Sequence, residues 1–267
     1  MAARFFKVIM IDNQDLQRAK TQIIQATSNT MIETGHIDFG SFESIRRCAS
    51  EIRNKEKYLH ILINNVGIFQ SKSHKTEDHL DPVMQINHFG PFLLTSLLID
   101  ILKESSPGRI IFITSSGAFL HNLDEKELPV IKPKQCENIL SLLTKYYSSK
   151  LCNMIISKEC SNRFQKYNIS SNCVHPGMTN TQFLLKNGDY KSCITPVLTG
   201  ILKLATQNKK QSADVITFMA TSRILENTSG KYFVNYQEFI QPKIVNNNEY
   251  RHKVWKQAEN TVYDKTI

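Results

Sequence analysis

The sequence predicts an α/β fold in which a mainly parallel sheet is covered by helices on both faces. Three observations predict it. Short apolar runs that read as buried strands alternate with stretches of helical periodicity along the 267 residues. Each run ends in polar or small residues: Asp12, Asp38, Asn64-Asn65, Ser115-Ser116 and His175-Pro176-Gly177. In open parallel sheets ligands gather outside the carboxyl ends of the strands, so these ends are expected to converge on one crevice. Finally, 41% hydrophobic and 21% charged residues suit one globular core, and no repeat, low-complexity tract or linker divides the chain. Residues 1–267 are therefore expected to form a single domain.

The elements follow in order. Residues 7–12 (KVIMID) read as a buried strand ending in an acid, and 15–26 as a helix through Leu16, Ala19, Ile23 and Ile24. A weaker strand ends at His36-Ile37-Asp38. Ser41 is placed to cap a helix whose apolar face is Phe42, Ile45, Cys48, Ala49 and Ile52. Residues 59–64 form the next strand, closed by Asn65-Val66-Gly67, and a long helical stretch covers 80–103. Residues 109–114 are again a strand, and the helix carrying Tyr146 leads to a strand over 169–175. Residues 120–137 are long and polar enough for a surface insertion beside the crevice. Residues 180–192 read equally as a flap over a substrate or as a plain surface loop. The segment SGKYFVNYQEFIQP from Ser229 reads as a final strand with a tail.

A formal charge of +9 suits an anionic partner, but the basic residues are scattered, with short clusters at Arg46-Arg47 and Lys209-Lys210. A basic solvated surface is expected, and no nucleic-acid partner. The six cysteines form no CxxC pair, so they read as reduced thiols of an intracellular, cytoplasmic protein. The eight histidines are dispersed and no HExxH pattern occurs, so no metal is expected. The longest apolar run, residues 91–102, is broken by Thr95, Ser96 and Asp100 and is too short to span a bilayer. The opening MAARFFKVIM lacks the apolar length of a signal peptide.

Chemistry enters with Tyr146 and Lys150 in KYYSSKLCNM, because residues four apart share a helix face and an ammonium then lies beside a phenol. A phenol with a reference pKa of ~10 is a poor base at neutral pH. Bringing it near 7 takes about 3 units, roughly 4 kcal/mol of differential stabilisation from a fixed cation or oriented donors. By itself such a pair is commonly only a solvated face, and its neighbours decide the matter.

Those neighbours resemble the short-chain dehydrogenase/reductase superfamily, in its retinol-dehydrogenase-like branch. The matching pieces are NNVG at 64–67, TED at 76–78, INHFGPFLLTSLL from Ile86, RIIFITSS from Arg109, YYSSKLCN from Tyr146, HPGMTNT from His175 and SGKYF from Ser229. They run in the family's order over nearly the whole chain. The resemblance implies a Rossmann-like, doubly wound sheet and an NAD(P)-dependent oxidoreductase interconverting a hydrophobic alcohol and its aldehyde or ketone. By resemblance, Asn87 helps hold a water-linked proton relay, Ser116 hydrogen-bonds the substrate oxygen, Tyr146 is the general acid/base, and Lys150 tunes it and binds the nicotinamide ribose. Cofactor contacts are implied for Asp38, Asn64, Asn65, Val66, Gly67, Tyr146, Lys150, Pro176, Gly177 and Thr181. Apolar Phe183, Leu184 and Leu185 suit a hydrophobic substrate or simply pack in a core. Homo-oligomerisation is left open.

Two departures qualify the resemblance. The first glycine is Gly35, so no glycine-rich turn follows a first strand to hold a pyrophosphate at a helix N-terminus. Family members open with that strand, turn and helix; roughly 30 residues, one strand-helix unit, are therefore expected to be missing. The missing strand would lie mid-sheet, leaving its two neighbours to face a gap or expose unpaired backbone. Either Met1 belongs to a shortened version of an ordinary enzyme, or the chain is a catalytically silent remnant with impaired cofactor binding. Relatives of the branch are often held at the endoplasmic reticulum by an N-terminal anchor, which would lie upstream. The second departure is Asp12, whose carboxylate suits a ribose 2′-hydroxyl and repels a 2′-phosphate, favouring NAD over NADP.

Overall fold

The computed structural model describes residues 1–71, 73–129, 132, 139–177 and 209–263. Strands β1 (Val8–Asp12) and β2 (Ile32–His36) flank helix α1 (Gln17–Thr27), and helix α2 (Phe42–Lys55) leads to β3 (Ile61–Asn64). A short α3 (Pro82–Met84) passes through a π-helical turn, Gln85–Phe89, into α4 (Gly90–Lys103) and β4 (Gly108–Ile113). The long α5 (Ile139–Phe164) precedes β5 (Ile169–His175). The chain closes with α6 (Lys209–Thr221), β6 (Tyr232–Val234), β7 (Gln237–Phe239) and α7 (Asn248–Tyr263).

The fold is α/β with a parallel central sheet flanked by helices, as the alternating pattern predicts. The larger sheet has the order β3-β4-β5-β6-β7, parallel except for β7, which returns antiparallel to β6. Period-two alternation sorts its side chains between two layers. Ile110, Phe112, Cys173 and Tyr232 join the core under α2, α4, α5 and α7, whereas Ile111, Ile113, Val174 and Phe233 pack against Val215, Met219 and Ala220 of α6. Burying both faces explains why these strands are almost continuously apolar.

β1 and β2 form a separate two-stranded parallel sheet, and no ladder joins β1 or β2 to β3 among the described residues. The four apolar residues of β1 are only half-buried and α1 has no buried residue. Apolar burial is the main favourable term in folding, so this corner is the least stabilised of the described structure.

Local chemistry sets the element ends. Ser41 caps α2 by accepting from Ser44 N, and Phe42, Ile45, Cys48, Ala49 and Ile52 are buried on the expected face. Asp81 caps α3, one carboxylate oxygen accepting from Val83 N and Met84 N, and its other oxygen pairs with Lys145 Nζ at 2.6 Å. That pair ties α3 to α5.

The segment after Ser229 differs from the expected strand with a tail. It forms the β6-β7 hairpin and then α7, whose Val254, Trp255, Ala258 and Val262 are core residues. Trp255 packs edge-on against Phe92 with ring centroids 4.9 Å apart, and the Arg163 guanidinium lies 4.3 Å from the Trp255 ring centroid. The expected tail instead supplies β7, and beyond it Asn248–Tyr263 is a helix because its apolar residues recur at helical spacing and find α4 and α5 to cover them. Cys48, Cys152, Cys160 and Cys173 are buried free thiols. No helix among the described residues is long and apolar enough to cross a membrane.

Candidate active site

Helix α5 presents Tyr146, Lys150 and Asn153 on one face, at spacings of four and three residues. Lys150 is 3% exposed, and its Nζ donates to Val66 O at 3.2 Å and Ile113 O at 3.3 Å. Those carbonyls lie just past the end of β3 and at the end of β4, so the ammonium is fixed at the carboxyl edge of the sheet. Burial pushes Lys150 down to about 8. Thr114 Oγ1 donates to Lys150 O at 2.9 Å, holding the helix itself to the end of β4.

Tyr146 lies one turn earlier, with Lys150 Nζ 5.8 Å from its ring centroid. Phe69 meets its ring edge-on at 5.5 Å and Tyr147 lies 5.8 Å away. The sequence leads one to expect a phenol drawn toward the phenolate, but here burial, and then the neighbouring Tyr147, push it above its ordinary value. The physical reason is that enclosing the phenol disfavours its charged form more than the nearby ammonium favours it. A phenol in this state keeps its proton and can donate it.

Asn87 sits fully buried in the π-helical turn. Its Oδ1 accepts from Ile68 N at 2.7 Å, and its Nδ2 donates to Ile68 O at 2.9 Å and to Ser149 Oγ at 2.9 Å. Ser149 Oγ in turn donates to Tyr146 O at 2.7 Å. One amide thus links the loop after β3 to the turn of α5 that carries Tyr146.

Of the paired serines, Ser115 accepts from Gly117 N at 3.2 Å and caps the 3₁₀ turn Ser116–Leu120, while Ser116 is exposed at the same strand end. Tyr147 lies against this turn so closely that a Cβ on Gly117 would stand 2.0 Å from its ring. The residue type at 117 therefore sets where the aromatic wall beside Ser116 can stand.

The other predicted positions distribute as follows. Asn64 is buried and donates to Thr95 Oγ1 at 3.0 Å, and its Oδ1 has no partner among the described residues. Asn65 is exposed, and a Cβ on Gly67 would stand 2.7 Å from Lys150 Nζ. Asp38 accepts from Gly40 N at 2.8 Å, and exposed Asp12 accepts from Gln14 N at 3.0 Å. Pro176 is buried, and Gly177 has φ of 91°, a conformation that favours glycine. Thr181 and residues 180–192, including Phe183, Leu184 and Leu185, lie outside the described residues. Sequence reasoning missed Ser149, Asn153 and Phe69, and weighed Tyr147 only as a competing phenol set aside for its three-residue spacing from Lys150; the signal for Asn153 was its place three residues after Lys150, on the same face. Among the described residues no group of three or more His, Cys, Asp or Glu is arranged to hold a metal ion.

The chain is similar to known proteins. The family model described as short chain dehydrogenase matches residues 1–124. Human (Homo sapiens) retinol dehydrogenase 13 is 30% identical over 252 residues, 94% of this chain and 75% of that protein. The WW domain-containing oxidoreductase of Gallus gallus is 32% identical over 221 residues, 81% of this chain and 52% of that protein. Among solved structures, an uncharacterised protein from Mycobacterium paratuberculosis superposes with a TM-score of 0.66 at 19% identity, covering 98% of this chain and 85% of the other. A gluconate 5-dehydrogenase from Burkholderia cenocepacia, solved with NADP and tartrate, gives 0.59 at 18% identity, with 86% and 84% covered.

Proposed function

The chain belongs to the short-chain dehydrogenases, in the branch similar to retinol dehydrogenases, and on that premise we propose that it is an NAD(P)-dependent oxidoreductase interconverting a hydrophobic alcohol and its aldehyde or ketone. The observation that carries the reading is the Tyr146-Lys150 face of α5, with the ammonium fixed between Val66 O and Ile113 O at the carboxyl edge of the sheet.

The nicotinamide end of a dinucleotide fits the residues present. Gly67 leaves open the space beside Lys150 Nζ that a Cβ would fill, and Asn64 Oδ1 is a buried acceptor without a partner among the described residues. Lys150, Asn64, Asn65, Val66, Gly67, Pro176 and Gly177 would hold that end; Thr181, implied there by the resemblance, lies outside the described residues. Asp38 and Asp12 would meet the adenosine end. No glycine precedes Gly35, so residues 1–34 hold no glycine-rich turn, and the N–H groups of Gln14 and Gln17 are taken by Asp12 and Asp15. When bound, the nicotinamide supplies or accepts the hydride.

The chain's own residues handle the proton and the oxygen. Exposed Ser116 offers a hydroxyl to the substrate oxygen. Tyr146, held protonated by burial, gives its proton to the oxygen as negative charge develops there. Lys150 places a positive charge beneath the phenol, lowering the cost of the phenolate left behind. Asn87, through Ile68 and Ser149, keeps the loop and the helix in register. In the oxidation direction the same phenol must first lose its proton. The aromatic wall of Phe69 and Tyr147 suits an apolar substrate.

Calorimetric titration of the 267-residue chain tests the cofactor side. Saturable binding of a nicotinamide dinucleotide is expected, tighter for NADH than for NADPH because Asp12 repels a 2′-phosphate. Tighter NADPH binding would reverse the preference, and no binding of either would leave the chain the catalytically silent fold remnant instead.

A further inference from the structure

The backbone carbonyl of Asn87, in the buried π-helical turn before α4, accepts from Asn153 Nδ2 of α5 at 2.8 Å, with both asparagines essentially inaccessible. The amide can point only one way, because turning it over would set Oδ1 against the Asn87 carbonyl, two acceptors face to face. Oδ1 is thereby directed to the other side of the amide, beside the buried imidazole of His88, which burial pushes down to about 4 and so keeps neutral near pH 7.

Following the bonds from Asn153 gives a closed ring. Asn153 holds the Asn87 backbone; the Asn87 side chain brackets the Ile68 backbone; two residues before it, Val66 O accepts from Lys150 Nζ; Lys150 is one helical turn from Asn153. Every link is between 2.7 and 3.2 Å. We infer that Asn153 is a positioning residue of the proton-handling set, fixing the loop of Val66 to Ile68 and through it the seat of the Lys150 ammonium. This rests on the oxidoreductase reading above for its catalytic consequence, though the ring itself does not depend on that reading. Asn153 does not touch the reacting atoms; it acts by denying the π-helical turn and the loop any second arrangement.

The test compares Asn153→Ala and Asn153→Ser, neither able to reach Asn87 O, with Ser157→Ala. Ser157, on the same helix as Asn153 but outside the ring, loses a buried hydrogen bond to Ser171 of β5 in that variant. Hydrogen exchange is expected to quicken about tenfold or more at Ile68 in both Asn153 variants and not in Ser157→Ala. The Lys150 titration, read by 13C NMR of ε-labelled lysine and assigned with Lys150→Arg, should move upward as water reaches the ammonium. In turnover, kcat should fall about 10–100-fold, as for a group misplaced by an ångström, and KM for the dinucleotide should rise, because Val66, Gly67 and Lys150 stand at its nicotinamide end. Unchanged exchange and titration overturn the inference, as does normal kcat alongside altered exchange. If the wild-type chain shows no turnover, the oxidoreductase reading fails by itself, and exchange with titration still decides whether Asn153 seats Lys150.

Discussion

Tyr146→Phe is expected to lower turnover by about 10²–10⁴-fold while leaving dinucleotide affinity within about twofold, because it removes the proton donor and nothing else. Phenylalanine keeps the ring that Phe69 meets edge-on, so the packing of α5 should survive. The direction of the Tyr146 shift adds a signature. A phenol held above its ordinary value by burial stays protonated across neutral pH, the form needed to reduce a carbonyl. Alcohol oxidation needs the deprotonated form. Oxidation by the wild-type chain should therefore climb with pH through the neutral and alkaline range, while reduction stays level or falls. Steady-state kinetics in both directions, on wild type and Tyr146→Phe, checks both statements. Unchanged activity in the variant would remove Tyr146 from the chemistry.

Lys150→Met is expected to cost a similar factor, about 10²–10⁴-fold in kcat/KM, and to weaken dinucleotide binding as well. Stability should move the other way or not at all. A buried ammonium is expensive, its depressed titration to about 8 reports that cost, and an apolar side chain of similar length avoids it. Replacing buried charges by apolar groups is often neutral or stabilising by about 1–4 kcal/mol, here less whatever is lost at Val66 O and Ile113 O. Activity assays beside thermal melting separate the two effects. A variant that loses activity only because it unfolds would show Lys150 to be a structural residue.

Much of the fold was legible because short continuous apolar runs and helical periodicity are strong local signals. The strands around Ile9, Leu62, Phe112 and Cys173, and the capped α2, stand close to where the pattern puts them. Helix α7 was not, since Tyr250, Val254, Trp255 and Ala258 are diluted by Glu249, Arg251, Lys253 and Lys256, and their partners on α4 and α5 are far away in sequence. The division into two sheets is likewise a property of pairing, which no single strand records. In the site, the spacing of Tyr146 and Lys150 could be read directly. The Asn153-Asn87 bond could not, because it joins a backbone carbonyl in one helical turn to an amide on another helix, far away in sequence. Nor could the direction of the Tyr146 shift, which depends on how completely the phenol is enclosed.

The central claim is that Tyr146 and Lys150 serve a nicotinamide-dependent exchange between an alcohol and a carbonyl. The most direct measurement follows absorbance of the reduced nicotinamide while the 267-residue chain is mixed with apolar aldehydes and ketones, with product alcohol quantified in parallel. The account predicts loss of reduced cofactor in step with alcohol formation, and neither change in Tyr146→Phe. Bound cofactor that stays reduced with every carbonyl offered, or equal consumption by Tyr146→Phe, would contradict it.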